Sequence, residues 1–144
     1  MLVLQRIRRE GDMGVAENLA TVRRFYESGP ADDDRDRRSL ASDDIVWHVP
    51  GVNRVSGTYR GAVEVFEAMP RSMQPLDRWE IAVVDVMGND DLVVATVEVR
   101  GERYGRSVRT DGAHVFRLDR DGRIVEAWGF TKDQSGLDAL LDPA

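Results

Sequence analysis

The 144-residue chain contains no cysteine, which excludes disulfides, thiolate metal sites and a cysteine nucleophile. It has two histidines, His48 and His114. No H-x-H or H-E-x-x-H spacing surrounds them, so neither a metal nor any other cofactor is expected. No apolar run approaches the roughly 18 residues that a membrane span needs. The opening stretch MLVLQRIRREGDMG has only Leu2, Val3 and Leu4 after Met1 before charges begin, too little for the core of a signal peptide. A cytoplasmic location with no membrane partner is expected. Gly57 and Gly61 flank Thr58-Tyr59-Arg60 as turn residues, and the G-x-x-x-x-G-K phosphate loop is absent.

Lysine is nearly missing as well: of 20 basic residues one, Lys132, is lysine, and the net charge is −6. An acidic balance opposes polyphosphate binding, which needs an excess of cations, so no nucleic-acid partner is expected. The arginines alternate with acids, as in DDDRDRR, which reads as a solvated mixed-charge surface. The length favours one domain, taken as residues 13–144. Residues 1–12 read as a disordered extension, with a second start at Met13.

VAENLATVRRFYESG carries Val15, Leu19, Val22 and Phe25 or Tyr26 at the spacing of one helical face. Gly29 and Pro30 stop it. ADDDRDRRSLAS is a short exposed helix or a loop. DIVWHVP reads as a strand, GVNRVSGTYRG as turns, and GAVEVFEAMPRSM as a helix with Val63, Phe66 and Met69 or Met73 on one side, broken near Pro70. Residues 78–88, 91–100, 106–118 and 123–130 are rich in valine and isoleucine. Each is bounded by turn residues, so they form a four-strand antiparallel meander. Helices first and sheet afterwards give an α+β class with helices packed on one sheet face.

This order, with FYESG, DDIVWHVPG, SGTYRGAVEVFEAM and above all HVFRLDRDGRIVEAWGF, resembles the ketosteroid isomerase and nuclear transport factor 2-like superfamily. Within it, the chain is most similar to the SnoaL-like polyketide cyclases, over roughly residues 15–142. The resemblance implies a conical, barrel-like curved antiparallel sheet with N-terminal helices on its concave face, enclosing an apolar pocket. It also implies a homodimer through the sheet. Steroid isomerases of this kind place an aspartate base where this chain has Val49, a tyrosine donor where it has Val22, and a protonated aspartate where it has His114. SnoaL-like cyclases have a histidine at the position of His114, but a catalytic aspartate where this chain has Gly129.

His114 is the expected catalytic residue. Its strand face also carries Thr110, Gly112, Phe116 and Leu118, the more apolar set, with Arg109, Asp111 and Arg117 on the other. A neutral imidazole there both accepts and donates, which suits proton transfer or binding of a carbonyl. The competing reading is a core histidine with a backbone or side-chain partner. Trp47, Val49, Tyr59, Phe66, Phe116, Trp128 and Phe130 are the expected ligand-binding wall, each also explicable as core packing. His48 alternates with Trp47 and Val49, so it faces outward unless a bulge before Pro50 re-aims it. Two functions remain open. One is a cofactor-independent cyclase, isomerase or dehydratase acting on a small apolar carbonyl compound of polyketide type, with His114 as general acid or base. The other is a non-catalytic ligand-binding or dimerisation module, favoured by Val49 and Gly129.

Overall fold

A computed structural model of the chain describes residues 14–27 and 35–142; the expected extension over residues 1–12 and the helix stop at Gly29 and Pro30 lie outside the described residues. Helix α1, Val15–Glu27, buries Val22 and Phe25 of the expected stripe together with Asn18, while Val15 and Leu19 are half-buried. The Asn18 amide donates to Asp90 O at 2.9 Å, which ties the helix to a turn 72 residues away. The DDDRDRR stretch yields a one-turn helix, α2 (Arg35–Ser39), with no buried residue. Leu40 directly after it is buried.

Strands β1 (Ala41–Val49) and β2 (Gly57–Arg60) precede a helical passage made of α3 (Gly61–Val63), a π-helical turn (Glu64–Ala68) and α4 (Met69–Ser72). The π turn points Val65 and Phe66 inward. The break expected near Pro70 does not occur there. Proline stands in the first turn of α4, where its missing N–H falls at the junction with the wider turn and costs little. The helix ends at Ser72 instead.

Strands β3 (Arg78–Gly88), β4 (Leu92–Arg103), β5 (Arg106–Leu118) and β6 (Ile124–Thr131) follow as the expected meander. The six strands form one curved, unclosed sheet in the order β2-β1-β6-β5-β4-β3. Every pairing is antiparallel except β1 with β6, which is parallel; the sheet is therefore mixed at that one seam. A register shift lies between Val83 and Asp85 in β3, and another in β6, where Val125 is the extra residue opposite Arg117 and Leu118 of β5. Such bulges bend strands and increase local twist. Along β4, Val93, Ala95, Val97 and Val99 are buried while the residues between them are not. That period of two defines the inner face on which α1 and the π turn pack.

Helix α5, Gln134–Leu140, closes the open end of the sheet with Leu137 and Leu140. Asp133 caps it by accepting from Gly136 N at 2.9 Å. Its last carbonyls are taken by arginines, as a helix C-terminus favours. Arg103 donates to Leu140 O at 3.2 Å and Asp142 O at 2.7 Å, and Arg54 to Leu141 O at 3.2 Å. The Asp138 carboxylate anchors the loop after β1. It accepts from Val52 N (3.1 Å), Asn53 Nδ2 (2.7 Å) and Gln134 Nε2 (2.9 Å). Burial pulls its pKa up, but these three donors outweigh burial and hold it below the usual value.

Gly51 stands at the centre of that anchor with φ +92°. A Cβ there would overlap Asp138 Oδ1 and Gln134 Nε2. Gly51→Ala is expected to lower the unfolding free energy by about 1–3 kcal/mol, measured as a reduced denaturant midpoint with an unchanged m-value. An unaltered midpoint would show that the loop is not held as described.

Candidate functional site

The inner face of β5 meets α1 at one polar contact. Tyr26 Oη and His114 Nδ1 are hydrogen-bonded, with the two rings nearly parallel and their centroids 5.8 Å apart. The pair is enclosed by aromatic rings. Phe116 lies 6.3 Å from His114 and Trp47 6.1 Å, both edge-on; Phe25 stacks on Trp47 at 5.8 Å, and Phe66 follows at 6.3 Å from Phe25. Small neighbours make room for the imidazole. Its partners across the sheet are Ala95 on β4 and Gly129 on β6.

This enclosure sets the protonation of both groups. Burial lowers the His114 pKa from 6.5 to about 4, because a low-dielectric surround disfavours the imidazolium. Burial pushes the Tyr26 phenol up, against a smaller opposing pull from Arg37. Both groups are therefore neutral near pH 7. Tyr26 Oη makes no second hydrogen bond among the described residues. The contact fits two arrangements: the phenol donates to Nδ1 with the imidazole hydrogen on Nε2, or Nδ1–H donates to the phenol oxygen with the phenol hydrogen turned to the cleft that Tyr26 lines. A Cβ on Gly129 would stand 3.7 Å from Cδ2 and 4.0 Å from Nε2 of the His114 ring, and 3.4 Å from Pro50 Cδ.

The other expected residues divide between the two faces. Trp47 is 9 % exposed on the inner face. Val49 and Tyr59 pack beside the core on that face, and the Tyr59 hydroxyl donates to Val55 O at 2.7 Å. Phe66 and Phe116 are buried there. Trp128 and Phe130 lie on the opposite face. They pair with Val115 and Ala113, residues that alternate with His114. Phe130 is 55 % exposed.

His48 is on that outer face too, stacked on Trp128 at 5.4 Å. Its Nε2 contacts Glu126 Oε2 at 2.7 Å, its Nδ1 contacts Thr58 Oγ1 at 3.2 Å, and Arg117 holds the other Glu126 oxygen at 3.2 Å. The hydrogen bond from His48 is the main cause of a lowered Glu126 pKa. No bulge brings His48 to the inner side. The residue that sequence reasoning missed is Tyr26. The family's tyrosine position was assigned to Val22, which is fully buried core; the phenol enters one helical turn later. The signal was present in the i, i+4 spacing of Val22 and Tyr26 along one stripe.

A cleft of about 390 Å³ opens between α1 and β3. It is lined by Ile81, Val83, Val84 and Val86, by Arg23, Glu27 and Asp85 at its polar parts, and by Tyr26. Among the described residues there is no cluster of three or more His, Asp or Glu able to hold a metal ion, and no helix long and apolar enough to cross a membrane.

The low His114 pKa has a consequence for stability. The unfolded chain binds a proton on this residue near pH 6.5, and the folded chain only near pH 4. Stability from His114 is therefore fully present above pH 6.5 and is lost as the pH falls towards 4, by about 3 kcal/mol in total for a gap of this size. Urea unfolding between pH 7 and 4 is expected to show that loss in the wild type and not in His114→Gln, which cannot titrate. Parallel curves for the two proteins would mean that the imidazole is not buried as described.

Comparison with known proteins agrees with this architecture. No curated protein matches the chain in sequence. Among solved structures, Bal32a from a soil-derived mobile gene cassette superposes with TM-score 0.81 at 23 % identity, over 88 % of this chain and 98 % of its own. A Xanthomonas campestris protein of unknown function with a cystatin-like fold gives 0.79 at 28 %, over 87 % and 98 %. TerC, co-crystallised with polyporic acid, gives 0.76 at 19 %, over 87 % and 98 %. The SnoaL-like domain model matches residues 22–127, from the middle of α1 to the strand beside His114, and the chain therefore belongs to the SnoaL-like domain family.

Proposed function

We propose that the chain binds a small, flat, largely apolar carbonyl compound of polyketide type, and that His114 acts on its oxygen as a cofactor-independent catalyst. The observation that carries this reading is the part-buried Tyr26–His114 hydrogen bond. In this reading the phenol donates to Nδ1, and the Nε2–H is a neutral donor beside the aromatic rings of the inner face. A donor of that kind hydrogen-bonds a carbonyl oxygen more strongly as negative charge grows on it, and so lowers the barrier to an enolate. Cyclisation, isomerisation and dehydration of polyketide-like rings all pass through that charge. A folded-state pKa of about 4 leaves His114 neutral at neutral pH and a poor base, so its role in this reading is electrophilic: Nε2–H keeps its proton and hydrogen-bonds the growing enolate oxygen, while water takes the carbon-bound proton. Tyr26 positions the ring and sets its tautomer. Trp47, Val49, Tyr59, Phe66 and Phe116 belong to the inner face that would hold the apolar body. Trp128, Phe130 and His48 belong to the outer face and to no part of this chemistry.

A second reading has an observation of its own in favour. The positions that carry carboxylates in relatives are Val49 and Gly129 here, and the partner of His114 is a phenol. A binding module that holds the same compound without turnover uses the same geometry. Deuterium exchange next to the carbonyl of 2-tetralone separates the two, because it reads enolate formation directly. His114→Gln is expected to cut the exchange rate by about 10²–10⁴-fold, the usual range for a positioned donor to the reacting oxygen. Tyr26→Phe is expected to reduce it less and His48→Ala to leave it unchanged. Tight binding of 2-tetralone without exchange would establish the binding module. Loss of activity in His48→Ala with retention in His114→Gln would overturn both.

The proposal extends to assembly. The outer sheet face offers Phe130 beside Trp128 and the Arg117–Glu126–His48 chain, and a homodimer through it would bury on the order of 1,200–2,000 Å² in total, as specific interfaces do. Light scattering at micromolar concentration is expected to give a dimer mass, and Phe130→Asp a monomer. A monomeric wild type refutes this part.

A further inference from the structure

The outer sheet face carries a second arrangement of reactive groups, and register builds it. His48 on β1 stands beside Thr58 on β2 and beside Trp128 on β6. Glu126 precedes Trp128 by two residues and so shares its face, and Arg117 is its partner on β5. The contacts follow the order of the strands. Arg117 holds Glu126 Oε1 at 3.2 Å, Glu126 Oε2 lies 2.7 Å from His48 Nε2, and His48 Nδ1 lies 3.2 Å from Thr58 Oγ1. Trp128 backs the imidazole as a nearly parallel ring, 5.4 Å away at 18°.

The hydrogens of this row have one consistent placement. The hydrogen bond from His48, joined by Arg117, outweighs burial and holds the Glu126 carboxyl below its usual range. It is therefore ionised at pH 7 and can only accept. Nε2 of His48 carries the hydrogen that it donates to Oε2. In the neutral ring Nδ1 is then a lone pair, and the Thr58 hydroxyl donates to it. A hydroxyl bonded to a base that is itself oriented by a third group is the arrangement that activates a nucleophile. Strand β2 is the last of the sheet and Thr58 is exposed on it, so the hydroxyl is open to a substrate.

We propose that Thr58, His48 and Glu126 form an acyl-transfer site that cleaves uncharged aryl esters. Thr58 Oγ1 bonds the ester carbonyl carbon while its proton passes to His48 Nδ1. The bond from that carbon to the aryl oxygen breaks, and the proton goes on to the departing oxygen, which leaves as a phenol. Water then repeats the sequence. Its oxygen bonds the acyl carbon, the bond to Oγ1 breaks, its proton passes through Nδ1 to Oγ1, and a carboxylic acid is released. Glu126 is a positioning residue whose charge stays beside the imidazolium throughout. The substrate class follows from the surroundings. Trp128 and the 55 % exposed Phe130 offer flat apolar surface to an aryl group. Arg60 follows Thr58 by two positions on the same face of β2 and supplies positive charge near the oxyanion. An exposed hydroxyl spends little binding energy on its substrate and so needs a leaving group that departs easily; an aryl oxide does, and an amide nitrogen does not.

The test uses 4-nitrophenyl acetate with the wild type and with Phe130→Asp, so that a face covered in a dimer cannot hide the reaction. Nitrophenol release and an acetyl group on Thr58, located by peptide mass mapping, are expected in at least one of the two. Thr58→Val keeps the shape of the side chain and is expected to remove the acetyl mark and most of the release. His48→Gln is expected to slow release by about 10²-fold or more, the lower end for a positioned base. Glu126→Gln is expected to lower kcat about tenfold with KM within about twofold, since the carboxylate acts through the imidazole and does not touch the ester. Release that survives Thr58→Val overturns the proposal, because an imidazole alone then accounts for it. An acetyl group found only on Lys132, the N-terminus or a histidine does the same, and so does an unchanged kcat in Glu126→Gln.

Discussion

The structure depends on one register, that of β5 held between β4 and β6. Because side chains alternate along a strand, pairing His114 with Ala95 on one side and Gly129 on the other decides the two faces together. His114 and Phe116 go inward to meet α1; Arg117 goes outward to meet Glu126. A slip of one residue would bury a guanidinium among aromatic rings and put the imidazole in water. The bulge at Val125 of β6 lies past this region and leaves the register beside His114 intact.

Helix α1 turns that register into a site. Its stripe of Val22 and Phe25 binds it to the sheet, and Asn18 fixes it to the β3–β4 turn. The side chain on the edge of the stripe, Tyr26, then reaches His114 beside Phe116. Desolvation favours the neutral form of both groups. The outer histidine, His48, has the opposite environment. It is about one-third exposed, with Glu126 and Arg117 beside it, and it serves a chain of polar contacts across four strands.

The π turn and the C-terminal helix hold the two ends of the inner face. The first brings Phe66 against Phe25. The second is held by Arg103, only 7 % exposed, and by the Asp138 anchor on the loop that leads out of β1. That loop starts at Pro50, whose Cδ is the nearest atom to where a Cβ on Gly129 would stand.

Much of this was legible in the residues themselves. The α+β class, the meander and the inward set of His114 and Phe116 follow from periods of 3.6 and 2, which are local properties of the chain. So does the outward direction of His48, from its alternation with Trp47. Two features were not legible. Trp128 and Phe130 read as pocket residues because they are aromatic, but their face depends on pairing with Val115 and Ala113, a contact between distant segments. Tyr26 could not be told from Phe25 as the residue that reaches the site, because the rotation of α1 about its axis is set by packing against β3 and β4. Sequence by itself determined which strands exist and which residues share a face. Tertiary structure alone decided which groups meet, because the Tyr26–His114 contact joins residues 88 positions apart and no local rule acts over that distance.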